Sequence, residues 1–416
     1  MRKKKIIIFL LILNIQYFAS AQIFYRPALL EPYVENAPEI ISRAAVLIDA
    51  HTGILLYAKN PDEEIPPASM TKLMTMHLLM KEIEEGRACY DELITITVES
   101  WSRSQPLGSS LMFLEPGQIV TLREIMLGLA VSSGNDAAVA AALHLAPTME
   151  NFAAMMTSEA RRMGMNVTRF VESSGISAEN ITTAEEFALF SRLYIQQHPQ
   201  SLRDFHSVQT FAYPLAANVQ DRYRFRLHTI VQNNQNILLS TFPGVDGLKT
   251  GFINQSGYNI ALTAEREQTR FVLVLLGAPS IPREGGRIRA EDSIRLLTWA
   301  FENFKTVRPV INNSDQADLF SARLWKGRED LVQLIPMPAA SMDFTSPINR
   351  ADSLRFEVVI PENLIAPLPA GSFAGYLDIS DEYGELHRTP LVTAAAYEKG
   401  SIFKRLWHSI LLLFNR

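Results

Sequence analysis

The apolar positions of this chain fall into two periods, one of strands and one of helices. Arg43 to Ala50 (RAAVLIDA) is a β-forming apolar run that ends in the turn cluster Asp49-Ala50-His51-Thr52-Gly53 and is followed by Ile54 to Ala58, which predicts a hairpin. Thr71 to Met80 is rich in Met and Leu and reads as a buried helix, introduced by Pro66-Pro67-Ala68-Ser69. Leu122 to Val131 and Ala137 to Leu145 are further apolar helical stretches, flanking the turn Ser132-Ser133-Gly134-Asn135. Gly257 to Glu265 and Phe271 to Gly277 read as consecutive strands, and Ser293 to Phe304 as a closing amphipathic helix. Strands at both ends of this region and helices between them predict an α/β sandwich whose single sheet is assembled from both ends of the segment. Beyond about residue 306, short alternating segments such as Leu354 to Ile360 and Tyr376-Leu377-Asp378-Ile379, punctuated by Pro336, Pro361, Pro367 and Gly371, predict a small all-β domain.

The two ends of the chain have a different texture. Basic Arg2 to Lys5, apolar Ile6 to Leu13 and the small residues Ala19-Ser20-Ala21 predict a secretory signal peptide over 1–21, with Gln22 opening the mature chain. Ser401 to Arg416 sets Ile402, Phe403, Leu406, Trp407, Ile410, Leu413 and Phe414 at helical spacing opposite Lys404, Arg405, His408 and Ser409. It is too short to span a bilayer but suited to lie in a membrane interface. The expected organisation is a signal peptide over 1–21, a larger mixed helix-and-strand domain over 22–305, a β-rich domain over 306–395 and a membrane-surface helix over 396–416, on the periplasmic face of the inner membrane.

With 416 residues and 47% hydrophobic content, the chain can bury more than one core. Its formal net charge of −5, more negative once the basic leader is removed, gives no reason to expect nucleic acid as a partner. The single cysteine, Cys89, has no disulfide or zinc companion, and His77, His144 and His198 lack metal-motif spacing, so neither metal nor cofactor is expected.

Three short motifs occur in order: Ser69-Met70-Thr71-Lys72, Ser133-Gly134-Asn135 and Lys249-Thr250-Gly251. Residues i and i+3 share a helical face, so Lys72 can reach the Ser69 hydroxyl, and the helix start favours negative charge developing on the serine. A lysine can act as base only if burial or a second cation lowers its proton affinity, and Lys249 is the obvious second cation. Ser133 can pass a proton to a leaving amine, and Asn135 can hold both the substrate backbone and Lys72. Lys249 and Thr250 suit a carboxylate, and Gly251 allows substrate to lie along the strand edge. The N–H groups of Ser69 and Phe252 are candidates for an oxyanion hole.

Together with Gly108-Ser109-Ser110-Leu111-Met112-Phe113-Leu114 and Val245-Asp246-Gly247-Leu248, these motifs resemble the low-molecular-weight penicillin-binding proteins that act as D-alanyl-D-alanine carboxypeptidases, serine peptidases of family S11. The resemblance covers nearly the whole mature chain. It implies the penicillin-binding/β-lactamase α/β fold with a trailing β domain. It further implies release of the terminal D-alanine from peptidoglycan pentapeptide stems through an acyl-enzyme on Ser69, and acylation of that serine by β-lactam antibiotics. Arg270 is expected as an additional arginine near the substrate carboxylate. Ile253, Asn254 and Ser256 stand where the family commonly has a threonine, an acidic residue and an alanine, which bears on substrate preference. The alternatives are a peptidoglycan DD-endopeptidase using the same residues and a catalytically inactive cell-wall scaffold. No E-x-x-L-N string separates the second and third motifs, which argues against a class A β-lactamase.

Overall fold

The computed structural model describes residues 36–307, 320–337, 343–360, 363–382 and 384–414, so the predicted signal peptide lies outside the described residues. The chain divides into two compact units. Among the described residues, the first takes Asn36–Ala50 and Leu55–Ala300, and the second takes His51–Ile54 and everything from Phe301 onward.

The first unit is built on a five-stranded antiparallel sheet. Its strands are β1 (Ala44–Asp49), β2 (Leu55–Lys59), β3 (Val245–Ile253), β4 (Gly257–Arg266) and β5 (Thr269–Ala278), in the spatial order β2-β1-β5-β4-β3. The two N-terminal strands thus join three strands from some 200 residues later, as the two-ended apolar pattern predicts. Phe271 to Leu276 are all fully buried, which requires both faces of β5 to be covered.

The main helices of this unit are α1 (Lys72–Glu84), α2 (Asn135–Leu145), α3 (Met149–Arg162), α4 (Ala184–Gln197) and α5 (Glu284–Asn303). Helices α3 and α4 start where the side chains of Thr148 and Thr183 accept N–H groups three residues on. α4 packs on β1 and β5, and Trp299 of α5 meets Tyr57 of β2 edge-on at 6.2 Å. α1 buries Leu73, Met74, Met76, Leu79 and Met80 together, the signature of a helix surrounded by protein. Each such side chain contributes about 1.5–3 kcal/mol of burial, so Ser69 precedes one of the best-anchored elements of the unit. The closing helix starts at Glu284, earlier than the sequence pattern predicts, because its first two turns are polar and contain Gly285 and Gly286.

The second unit contains β6 (Phe304–Val307), β7 (Ser321–Trp325), β8 (Leu331–Pro336), β9 (Phe344–Pro347), β10 (Arg355–Val359), β11 (Leu364–Ile365), β12 (Phe373–Asp381), β13 (Gly384–Thr393) and α6 (Ile402–Phe414). Six of the strands form one sheet in the order β10-β12-β13-β8-β7-β11, and β6 pairs with β9. α6 meets this sheet through its polar side. His408 is buried, its Nδ1 accepts the Lys326 N–H at 2.8 Å, and its ring stands edge-on to Trp325. Lys404 Nζ donates to the Arg328 carbonyl at 2.9 Å and pairs with Asp330 at 2.8 Å. The apolar side of α6 is open, with Phe403 86% and Leu413 72% exposed. No described helix is long and apolar enough to cross a membrane.

Candidate active site

Ser69 sits in a 3₁₀ turn, Ala68–Thr71, that runs directly into α1 at Lys72. Ala68 has a positive φ of 51° and Ser133 one of 55°, both in the left-handed region that costs an L-residue energy. The strained backbone presents both serines to one cleft of about 410 Å³, also lined by Ser109, Asn135, Thr250, Gly251, Phe252 and Arg289.

Lys72 lies beneath the cleft floor, fully buried, with three partners: Ser69 Oγ at 3.0 Å, Asn135 Oδ1 at 2.8 Å and the Ser174 carbonyl at 2.7 Å. Burial pulls its proton affinity down to about 7, while the carboxylates of Glu172 and Asp136 hold it from falling further. A neutral amine has two N–H donors and one lone pair. Asn135 Oδ1 and Ser174 O can only accept, so they take both donors, and the lone pair is left for the Ser69 hydroxyl proton. Asn135 is fixed in this orientation by its amide nitrogen, which donates to Ser109 Oγ at 3.1 Å.

Lys249 is also buried, and its Nζ donates to the Thr250 carbonyl at 3.1 Å. Burial first, then the charges of Lys72 and Arg289, drive its proton affinity well below the usual lysine range. Of the two means by which the proton affinity of Lys72 was expected to fall, burial is the larger. Gly251 also has a packing task. A Cβ there would come within 2.6 Å of the Pro67 carbonyl and 3.1 Å of Ser69 N, so glycine lets β3 close against the nucleophile turn. This contact brings the N–H groups of Ser69 and Phe252 into one neighbourhood. The Phe252 ring packs on Tyr258 with centroids 4.3 Å apart at the rim.

Arg270 does not reach the cleft. Its guanidinium forms a paired hydrogen bond with Asp246, at 2.9 and 2.8 Å, and also contacts Thr263 and Glu265. The arginine that lines the cleft is Arg289 of α5. It is buried, donates from Nη1 to the Asn259 carbonyl at 3.3 Å and stands 5.9 Å from the Tyr258 ring. Its Nε has no protein partner, which leaves one cationic donor unspent beside Lys249.

Two carboxylates missed from sequence build the walls. Asp136, buried, accepts the N–H groups of Met112, Phe113 and Leu114 at 2.8–3.0 Å and so fastens the 108–114 loop to the Ser133 turn. Glu172 accepts the N–H groups of Ser174 and Gly175 and the Asn180 amide at 2.6–2.8 Å, which shapes the loop whose Ser174 carbonyl holds Lys72. Gly175 of that loop lies so close to the nucleophile turn that a Cβ would fall 1.8 Å from the Ala68 carbonyl.

A buried lysine hydrogen-bonded to a strained serine, with Thr250 and Arg289 lining the same cleft, is the equipment of a serine acyl-transfer enzyme. The D-alanyl-D-alanine carboxypeptidase family profile matches residues 32–280. The chain is 30% identical over 386 residues to D-alanyl-D-alanine carboxypeptidase DacC of Escherichia coli K12, covering 92% of this chain and 90% of the relative. It is 31% identical to carboxypeptidase DacD of Salmonella typhimurium, covering 95% and 98%. Penicillin binding protein 5 from Haemophilus influenzae superposes with a TM-score of 0.75 at 27% identity, over 88% of this chain and 100% of the other. This chain belongs to the D-alanyl-D-alanine carboxypeptidase family of serine peptidases.

Proposed function

We infer that the protein is a serine-type D-alanyl-D-alanine carboxypeptidase that removes the terminal D-alanine from peptidoglycan pentapeptide stems. The observation that carries this reading is the buried Lys72 amine, held by two carbonyl acceptors with its lone pair left to the Ser69 hydroxyl at 3.0 Å. The Ser69 proton passes to Lys72 Nζ as Oγ attacks the carbonyl carbon of the penultimate D-alanine. Charge developing on the carbonyl oxygen is taken by the N–H groups of Ser69 and Phe252. Lys72 passes that proton to Ser133 as Ser133 delivers its own to the leaving amine, the C–N bond breaks, and D-alanine departs. Water then attacks the ester carbon, giving a proton to Lys72 Nζ, which hands it to Ser69 Oγ as the ester bond breaks and the shortened peptide leaves.

Selection for a free carboxylate comes from Lys249, Thr250 and Arg289. Burial and the neighbouring Lys72 and Arg289 lower the proton affinity of Lys249, and a bound carboxylate works in the opposite direction. A β-lactam presents a carboxylate and a strained amide to the same groups and acylates Ser69.

Residues 1–21 direct export, and α6 holds the enzyme on the periplasmic face of the inner membrane through its open apolar side. Exposed Phe403, Leu406, Trp407 and Leu413 support that reading.

The test is to incubate the purified protein with a labelled penicillin and with a pentapeptide ending in D-Ala-D-Ala. Label on Ser69 together with D-alanine release is the expected result, and Ser69→Ala loses both. Label without release would favour the DD-endopeptidase, and neither, in folded protein, the inactive scaffold.

A further inference from the structure

We propose that a second cavity, opening off the catalytic cleft, is a subsite for a carboxylate borne by the substrate peptide upstream of the scissile bond. The proposal rests on the carboxypeptidase reading and deepens it.

The second cavity measures about 1000 Å³ against about 410 Å³ for the cleft. The two share Leu107, Gly108 and Ser109, and Leu107 is fully exposed at this common lip. None of Thr250, Gly251 and Arg289 lines the second cavity. A substrate fixed by its C-terminal carboxylate at Lys249 and Arg289, and attacked one residue upstream by Ser69, must run its remaining chain away from that end. Ser109 accepts from Asn135 within the cleft, and the lip at Leu107–Ser109, common to both cavities, leads into the second one.

The cavity is a built feature between two braced segments. Tyr213 Oη donates to Gln118 Oε1 at 2.6 Å, Asn218 Nδ2 donates to the Ile119 carbonyl at 3.0 Å, and Gln220 Nε2 reaches the Gly117 carbonyl at 3.5 Å. Its lining combines an apolar shelf, with Leu107 and Phe113, and two guanidinium groups, those of Arg103 and Arg222, against one carboxylate, that of Glu115. Arg222 Nε donates to Gln220 Oε1 at 3.1 Å, and the Arg103 guanidinium lies 5.4 Å from the Trp101 ring. Two arginines lining one cavity suit a carboxylate. The ligand class that matches is an extended peptide bearing a free carboxylate a few residues before its D-Ala-D-Ala end. A neutral sugar would gain little from either guanidinium.

The test compares four D-Ala-D-Ala substrates: a short N-acylated tripeptide, a pentapeptide with an acidic upstream residue, its side-chain-amidated counterpart, and the acidic pentapeptide carried on a muramyl sugar. With the intact chain, kcat/KM for the acidic pentapeptide should exceed that for the amide by about tenfold at low salt, a ratio that shrinks as salt rises. The double variant Arg103→Ala/Arg222→Ala should lose this ratio while tripeptide hydrolysis and penicillin acylation stay unchanged. An unchanged ratio, or an equal loss on every substrate, would overturn the proposal while leaving the carboxypeptidase intact. A loss confined to the muramyl-linked substrate would assign the cavity to glycan and overturn it too. Absence of D-alanine release from all four by the unmodified protein would overturn the underlying reading and this one with it.

Discussion

At the scale of single residues the site is governed by where protons can sit. Lys72 has an affinity near 7 because burial works against its charge while Glu172 and Asp136 work for it. Glu172→Gln removes one of the carboxylates that favour the ammonium, so the proton affinity of Lys72 falls further and more free amine is present at low pH. The acid limb of the kcat/KM profile should therefore move to lower pH, by up to about one unit. Loosening of the 172–180 loop alone would lower the plateau and leave the limb in place, so a full pH–rate profile separates the two. The Ser69–Lys72 contact was legible because residues i and i+3 share a helical face, and Asn135 reaches Lys72 as its place in the second motif led us to expect. The place of Arg270 was not legible, because β3, β4 and β5 reverse direction twice. Lys249 pairs with Ala261, which pairs with Val274, and Arg270 lies four residues farther along β5, roughly 13 Å away. Arg289, far along the chain, returns on α5 to the cleft, and no local pattern carries that information.

At the scale of elements, the catalytic helix α1 is held by a buried ionic junction as well as by apolar packing. Glu159 of α3 accepts from His77 at 2.9 Å and Lys81 at 3.0 Å, both on α1, and from Arg162 Nε at 2.9 Å. His77 passes the contact on to His198, just past α4, at 2.9 Å. These histidines were legible only as residues on apolar stretches, since their partner carboxylate comes from another helix. Burial disfavours the Glu159 charge, but the hydrogen bonds from Arg162, His77 and Lys81 outweigh it, and the carboxyl is held well below its ordinary range. A folded-state affinity below the unfolded one means stability that is present above the ordinary pKa near 4.5 and is lost as pH falls beneath it. Glu159→Gln should cost about 2–3 kcal/mol at pH 7, because it leaves a cluster of partly buried cations without their anion. Denaturant titrations of both proteins from pH 7 to pH 3 should show that gap closing with acidity. A gap that stays constant would assign the loss to packing.

At the scale of the whole molecule, the chain forms two units of different texture, and the helix-rich and β-rich parts were legible because their apolar periods differ. What the pattern of 401–416 did not reveal is which side of α6 is used within the protein. His408 and Lys404, read as part of a solvent-facing polar side, are the residues that fasten the helix to its own β-sheet, because an imidazole and an ammonium can satisfy the N–H of Lys326 and the carbonyl of Arg328. The apolar side is thereby held outward, a costly exposure for an element that does nothing else with it. If that face lies in a membrane interface, the combined variant Phe403→Ser/Leu406→Ser/Trp407→Ser leaves the docking contacts untouched and removes three apolar side chains, worth about 1.5–3 kcal/mol each when buried. Binding to anionic lipid vesicles should then fall by at least about a hundredfold in a sedimentation assay, with thermal stability and hydrolysis of soluble pentapeptide unchanged. Equal sedimentation of variant and parent would mean that the open face serves something other than lipid. A variant that bound less but also unfolded earlier would mean that it is covered by protein.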